Sequence, residues 1–370
     1  MKKDPPLRRG WTTGACATAA AKAAFTAILT GEFPDPVTIT LPRGQTPAFV
    51  LAETNIDKSG ARAGIVKDAG DDPDATDGAL IVATVRLGAE GSGVRFFAGP
   101  GVGTMTKPGL PVPPGEPAIN PTPRKMMRAA IEEVAEAHGV RGDVEIEISI
   151  PGGEAISTKT FNARLGILGG LSILGTTGIV IPFSCSAWIH SIYQSIDVAR
   201  ALGLSHVVGS TGSTSEAAAQ RHLGLEESAL VEMGDFAGGM LKYLRKHPVP
   251  RVTIAGGVAK MTKLAQGRLD LHSKKGSVDR QALVRVALRA GAPAALQISI
   301  AEANTTAQAF ELATAEGIRL GDEIARAARD VAAEVIAGAD IAIDTLLFNR
   351  EGRLVGEAAA IGDHQPPPSR

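Results

Sequence analysis

Only two cysteines, Cys16 and Cys185, occur in the 370 residues, and they lie far apart in the chain. That excludes a disulfide framework and makes a reducing compartment the default. None of the seven histidines pairs with another at i+4, and neither cysteine has a second one nearby, so no protein-held zinc is expected. Aromatic residues make up 4% and the net charge is −1. The first is too few for base-stacking platforms and the second too little for a nucleic-acid binder. Neither G-x-G-x-x-G nor G-x-x-x-x-G-K-[ST] occurs, so a dinucleotide or P-loop ATP site has no motif behind it. The basic start lacks an apolar core before Trp11 and does not read as a secretory signal. A soluble cytoplasmic protein is the expectation.

Glycine, by contrast, is plentiful, with 43 residues beside 23 prolines, gathered in blocks. The densest block is residues 161–182, FNARLGILGGLSILGTTGIVIP, with Gly166, Gly169, Gly170, Gly175 and Gly178 and no charge after Arg164. Its uncharged part approaches the length of a membrane span. Each glycine inside a helix would cost about 1 kcal/mol against alanine, which argues against a helix there. Glycine also admits tight turns and close approach to a ligand, so the segment reads as backbone shaped around a small molecule or as a tightly packed connection.

The rhythm of the chain changes near residue 160. Before it, an alanine-rich helix follows Thr12-Thr13-Gly14 and closes at Gly31, with Thr12 or Thr13 as its N-cap. Strands are expected at 37–41, 48–55, 62–67, 79–87, 94–98 and 144–150, and a helix over 124–137. This half reads as α+β. After it, strands near 206–209, 230–232 and 251–255 alternate with helices, and 341–355 forms a terminal hairpin, an α/β pattern with a parallel sheet. The expected domains are therefore 1–160 and 161–370. In such sheets ligands sit at strand C-terminal ends, where Gly209–Gly212 and Gly256-Gly257 fall. Glu216 and Glu232 are candidates to hold a ribose there.

The acidic block DAGDDPDATDG, residues 68–78, fails the spacing of a calcium loop, since position twelve from Asp72 is Ala83. A magnesium site stays open, and the block reads either as a turn capped by Asp side chains or as a functional loop that binds polar substrate groups, accepts a proton or arranges neighbouring backbone. Thr12-Thr13-Gly14 at a helix start can offer N–H groups to an anion. Lys107 and Arg124 lie in Pro/Gly-rich backbone that suits an anionic ligand.

Taken together and in order, TTGACATAAAKAA, DAGDDPDATDG, GPGVGTMTKPGL, GEPAINPTPR, the 161–182 segment, AGGVAKMTKLAQG and LHS resemble the CbiD family over nearly the whole chain. The resemblance implies an α+β first domain on the tetrapyrrole side and a Rossmann-like second domain on the donor side. It implies a methyltransferase that moves the methyl of S-adenosylmethionine to C1 of cobalt-precorrin-5B, giving cobalt-precorrin-6A, with cobalt only as part of the substrate. On that reading Gly169, Gly170, Gly175, Thr176, Thr177, Gly209, Thr211 and Gly212 hold the donor. Thr12, Thr13, Gly14, Lys107 and Arg124 meet the substrate's carboxylates, Asp68 is a further substrate-binding residue, and Asp71 or Asp72 is a base or orients the substrate. No metal is held by the protein. A homo-oligomer is compatible with this. A nucleotide-dependent small-molecule kinase and a non-catalytic tetrapyrrole carrier are the alternatives.

Overall fold

The helix Thr13–Thr30 is almost entirely buried, and alanine is the reason it can be. Its methyl-sized faces let it lie between the helix Pro121–His138 and the sheet strands Gly60–Val66 and Leu80–Leu87. Larger side chains there would overpack, at about 1–3 kcal/mol each. Thr12 caps it, its hydroxyl accepting from the N–H of Ala15 at 3.2 Å, and Gly31 closes it with φ 82°. The structure, a computed structural model, describes residues 6–360 and divides into two units, Met1–Ser184 and Cys185–Arg370.

In the first unit, five strands run in the order Glu53–Asp57, Gly60–Val66, Leu80–Leu87, Val144–Ser149, Val94–Ala98. All neighbours are antiparallel except the last pair. Alternation places Ala61, Ala63 and Ile65 with Ile81, Ala83 and Val85 in the core under the alanine helix. The glycine segment belongs to this unit, which moves the expected boundary from 160 to 184. Its backbone bonds settle the matter. Ile167–Leu168 pairs with Thr104–Met105, Gly170–Leu171 with Gly101–Val102, and Ile179–Val180 with Gly10–Trp11. The run of near-membrane length is thus three two-residue strands and turns. Among the described residues no helix is long and apolar enough to cross a membrane.

The second unit is built on a five-stranded sheet ordered Leu230–Glu232, His206–Ser210, Arg251–Gly257, Ala342–Phe348, Leu354–Ala358. The first four are parallel and the last is antiparallel. One face carries most of the helices over a core that includes Val207, Val252, Ile254 and Ile343. The other is covered through Val208, Ala255 and Leu346 by Ala218 and Ala219 of the helix Ser213–Leu223. The helix Ala294–Glu302 lies between Arg280–Arg289 and Thr306–Ala315.

Candidate active site

Three of the expected segments of the first unit meet at one place. The N-terminal strand runs between the acidic loop and the glycine segment. Arg9 bridges Gly70, the N–H of Trp11 donates to Asp68 O at 2.7 Å, and Gly10 pairs with Val180. Thr12 N–H donates to Gly178 O at 3.0 Å, and Gly14 N–H to Leu174 O at 3.1 Å. Gly175, at φ 131°, lies so close to Thr12 that a Cβ would stand 2.4 Å from its hydroxyl oxygen. Thr12, Thr13 and Gly14 are therefore buried and bonded within the unit, and the Gly14 N–H is not offered to an anion.

The acidic loop provides each carboxylate with its own donor, which is how five acids share ten residues. Asp68 forms an ion pair with Arg8, and Nη2 donates to Oδ1 at 2.8 Å. That hydrogen bond, with one from Gly70 N–H, holds the Asp68 carboxyl below the usual range. Asp71 accepts from the N–H of Arg8 at 2.6 Å, Asp72 from Phe183 N–H at 2.7 Å, and Asp77 from Ala69 N–H at 2.8 Å. Asp74 pairs with Lys67, which is buried. Burial alone would raise the Asp74 carboxyl, but Lys67 and Thr76 outweigh it and hold it low. Among the described residues no cluster of three or more His, Cys, Asp or Glu is disposed to hold a metal ion. Burial pushes the Cys16 thiol up to about 12, so it stays protonated and is no nucleophile.

Lys107 and Arg124 serve the surrounding loops. Lys107 packs over Gly166 and donates to Arg164 O at 3.2 Å. The Arg124 guanidinium donates to Ile119 O at 2.8 Å and Pro117 O at 3.0 Å, and reaches Glu116 Oε2 at 3.2 Å. It ties the Pro/Gly-rich loop to the first turn of its own helix. Gly170 sits against Gly101 backbone, with no room for a Cβ, while Gly169 is exposed. Thr176 is exposed as well, and Thr177 folds back onto Ile179.

The second unit holds a cavity of about 1080 Å³ at the C-terminal ends of its parallel strands. Thr211–Ser215, Gly257–Lys260, Thr305–Ala307 with Phe310, and the turn after Phe348 line it. Three helices start at its wall, with Gly212, Gly257 and Thr305 as their N-caps. Helix N-termini favour negative groups. The first two caps follow the strands His206–Ser210 and Arg251–Gly257, where the strand order reverses direction, the usual ligand crevice of an open parallel sheet. Gly256 lets these two strand ends approach, since a Cβ there would come within 2.9 Å of the Thr211 methyl. Thr211 and Gly212 thus stand at the cavity wall. Gly209 lies deeper and faces the Met240 side chain, 2.3 Å from where its Cβ would be, so it is a packing residue and not part of the wall.

The family model described as CbiD matches residues 1–182, and that of the CbiD C-terminal domain matches residues 270–359. A relative from Agrobacterium fabrum, named cobalt-precorrin-5B C(1)-methyltransferase, is 61% identical over 98% of this chain and 96% of its own. One of the same name from Paramagnetospirillum magneticum is 59% identical over 97% of this chain and 100% of its own. The chain belongs to the CbiD family. A solved structure titled cobalamin biosynthesis protein (cbiD) from Archaeoglobus fulgidus is 26% identical, covering 68% of this chain and 77% of that one, with a TM-score of 0.39.

In this CbiD chain one side of the cavity is legible in the sequence and the other is not. The strand-end glycines marked Thr211, Gly212 and Gly257. Thr305, Phe310 and Asn349–Arg353 carry no motif, and only the fold brings them to the same opening. Lys260 was visible within AGGVAKMTKLAQG, but its bond to the Thr211 carbonyl was not.

Proposed function

We propose that this chain is a cobalt-precorrin-5B C(1)-methyltransferase that uses S-adenosylmethionine. The 61% identity to a relative of that name over 98% of the chain is the observation that carries the reading. We assign the donor to the cavity of the second unit, read as a Rossmann-like domain on its strand order. The residues there suit the donor. Helix starts at Gly212 and Gly257 favour its carboxylate, hydroxyls of Thr211, Ser213 and Thr305 suit its ribose, and Phe310 and Phe348 offer apolar surface to a base. Gly212 and Gly257 have nothing within 4 Å of where a Cβ would point, so a ligand can approach their backbone.

When bound, the donor supplies an electrophilic methyl on a sulfonium and leaves as a neutral thioether. The chain's own task is then alignment, which in well-oriented reactions is worth about 7–11 kcal/mol. The tetrapyrrole is assigned to the glycine segment of the first unit. Leu168, Leu174, Ile181 and Phe183 stay exposed there, apolar surface that suits the face of a macrocycle. Asp72, bonded to the N–H of Phe183, is read as holding this surface in shape.

Conversion of cobalt-precorrin-5B with release of S-adenosylhomocysteine is the direct test. Calorimetry against ATP separates the kinase alternative, since tight ATP binding without donor binding would reverse the choice. Coloured ligand binding without S-adenosylhomocysteine would mark a carrier. Asp72→Asn keeps the acceptor geometry at Phe183, so turnover should survive. A loss of turnover with donor binding intact would instead make Asp72 a base.

A further inference from the structure

The cavity wall of the second unit carries five charged side chains, Lys260, Glu311, Arg350, Glu351 and Arg353. Three of them are engaged with neighbours. Lys260 donates to Thr211 O and stands beside Asp235, and Arg353 faces Glu351 at 3.7 Å. Among the described residues neither Arg350 nor Glu311 has an ion-pair partner. The wall therefore offers a ligand one cation and one anion. That balance suits a zwitterion better than a polyanion such as a nucleoside triphosphate, and the amino-acid end of the donor is a zwitterion.

Arg350 stands on a turn that is held in place. Asn349 Oδ1 accepts from the N–H groups of Glu351 at 3.1 Å and Arg353 at 2.8 Å. The Asn349 N–H donates to Arg353 O at 3.0 Å, and Gly352 N–H donates to Asn349 O at 3.1 Å. The turn packs on the helix that starts after Gly212. A Cβ on Gly352 would come 3.6 Å from the Ala218 methyl and 3.8 Å from that of Thr214. The guanidinium thus belongs to the same wall as Thr211 and Gly212, where the donor is assigned. A guanidinium binds a carboxylate through two parallel hydrogen bonds, a match of shape that an ammonium lacks.

We infer that Arg350 binds the carboxylate of the donor's amino-acid end. The inference rests on the proposed function and deepens it. With the base against Phe310 and Phe348 and the carboxylate on Arg350, the donor is anchored on both sides of its sulfur, which limits how the methyl can point. The test is calorimetry of the full-length protein with S-adenosylhomocysteine and with its decarboxylated analogue, S-adenosyl-3-thiopropylamine, which keeps the nucleoside, the sulfur and the ammonium. Wild type should bind the first about tenfold more tightly than the second. Arg350→Gln should erase that preference, weakening S-adenosylhomocysteine about tenfold and leaving the analogue within about twofold. Arg350→Lys, which keeps the charge without the fork, should recover part of the loss. Unchanged S-adenosylhomocysteine affinity in Arg350→Gln overturns the inference. An equal loss for both ligands overturns it too, since Arg350 would then only support the wall. Wild type that binds both ligands equally counts against Arg350 alone, whereas wild type that binds neither removes the donor assignment and the inference with it.

Discussion

Lys260 Nζ donates to the carbonyl oxygen of Thr211 at 2.7 Å while standing 3.1 Å from Asp235 Oδ1. Thr211 follows the strand His206–Ser210, Asp235 follows Leu230–Glu232, and Lys260 lies in the helix after Arg251–Gly257. One ammonium group therefore fixes three strand-end loops around the opening assigned to the donor.

Removing it should loosen the Thr211–Gly212 turn without touching the core. A hydrogen bond to a charged group is worth about 1.5–3 kcal/mol, so Lys260→Met should weaken S-adenosylhomocysteine binding at least about tenfold. Lys260→Arg should recover part of it. Calorimetry decides, and equal affinities for wild type and Lys260→Met would show that the turn holds without the lysine.

The Lys67–Asp74 pair predicts a stability effect in the first unit. Lys67 is buried, and its ammonium also donates to Thr76 Oγ1 at 2.5 Å. Without Lys67 the Asp74 carboxylate, 27% exposed, still accepts from Thr76 N–H and Oγ1, so the cost falls below the about 3–5 kcal/mol of a fully buried pair. Lys67→Met should lower the urea midpoint accordingly. Adding Asp74→Asn should restore part of the loss, whereas additive losses would mean that the two groups do not depend on each other.

These cases mark what the sequence could reveal. The alanine helix, its Thr12 cap, the antiparallel strands and the alternation after residue 200 were legible because they depend on neighbours within a few positions. The boundary was not. The glycine segment reads like the start of a new domain, but its partners, Gly10, Gly101 and Thr104, lie more than sixty positions upstream, and no local pattern reports such pairing. The partners of Arg124 were not legible for a related reason. A cation in Pro/Gly-rich backbone looks available to an anion, yet here the loop's own carbonyls occupy its donors. Thr211 and Gly212 could be placed at the cavity wall because strand order dictates where a parallel sheet opens, which composition and rhythm can suggest.

Gly175 tests whether the glycine segment is shaped from within. At φ 131°, with Thr12 Oγ1 2.4 Å from the position of a Cβ, it has neither the conformation nor the space for a side chain. Gly175→Ala should cost about 2 kcal/mol or more in the urea stability of the first unit, from backbone strain together with the clash. Gly169→Ala makes a useful comparison, since it shares a positive φ of 84° but has open space around it. It should cost about 1 kcal/mol, from strain alone. Equal costs at the two sites would remove the close approach of Thr12 from the explanation.

His206 gives the second unit a pH-dependent stability. Its ring bonds the Thr253 hydroxyl at 2.8 Å, beside the ion pair in which Arg251 Nε donates to Asp344 at 2.7 Å. Burial lowers its pKa to about 4, and the neighbouring Arg251 charge adds to the effect against a smaller opposing pull from Asp344. Folding therefore selects the neutral ring. Between pH 4 and the ordinary value near 6.5 the unfolded chain binds the extra proton, so stability is full above about pH 6.5 and falls as pH drops toward 4. At pH 5 the loss should be about 1–2 kcal/mol, the lower end allowing for the part of the ring that solvent reaches. His206→Gln removes the titrating group, so the stability gap between wild type and variant should shift toward the variant by that amount from pH 7 to pH 5. Urea midpoints at the two pH values measure it, and a gap that stays constant would show that His206 does not titrate across folding.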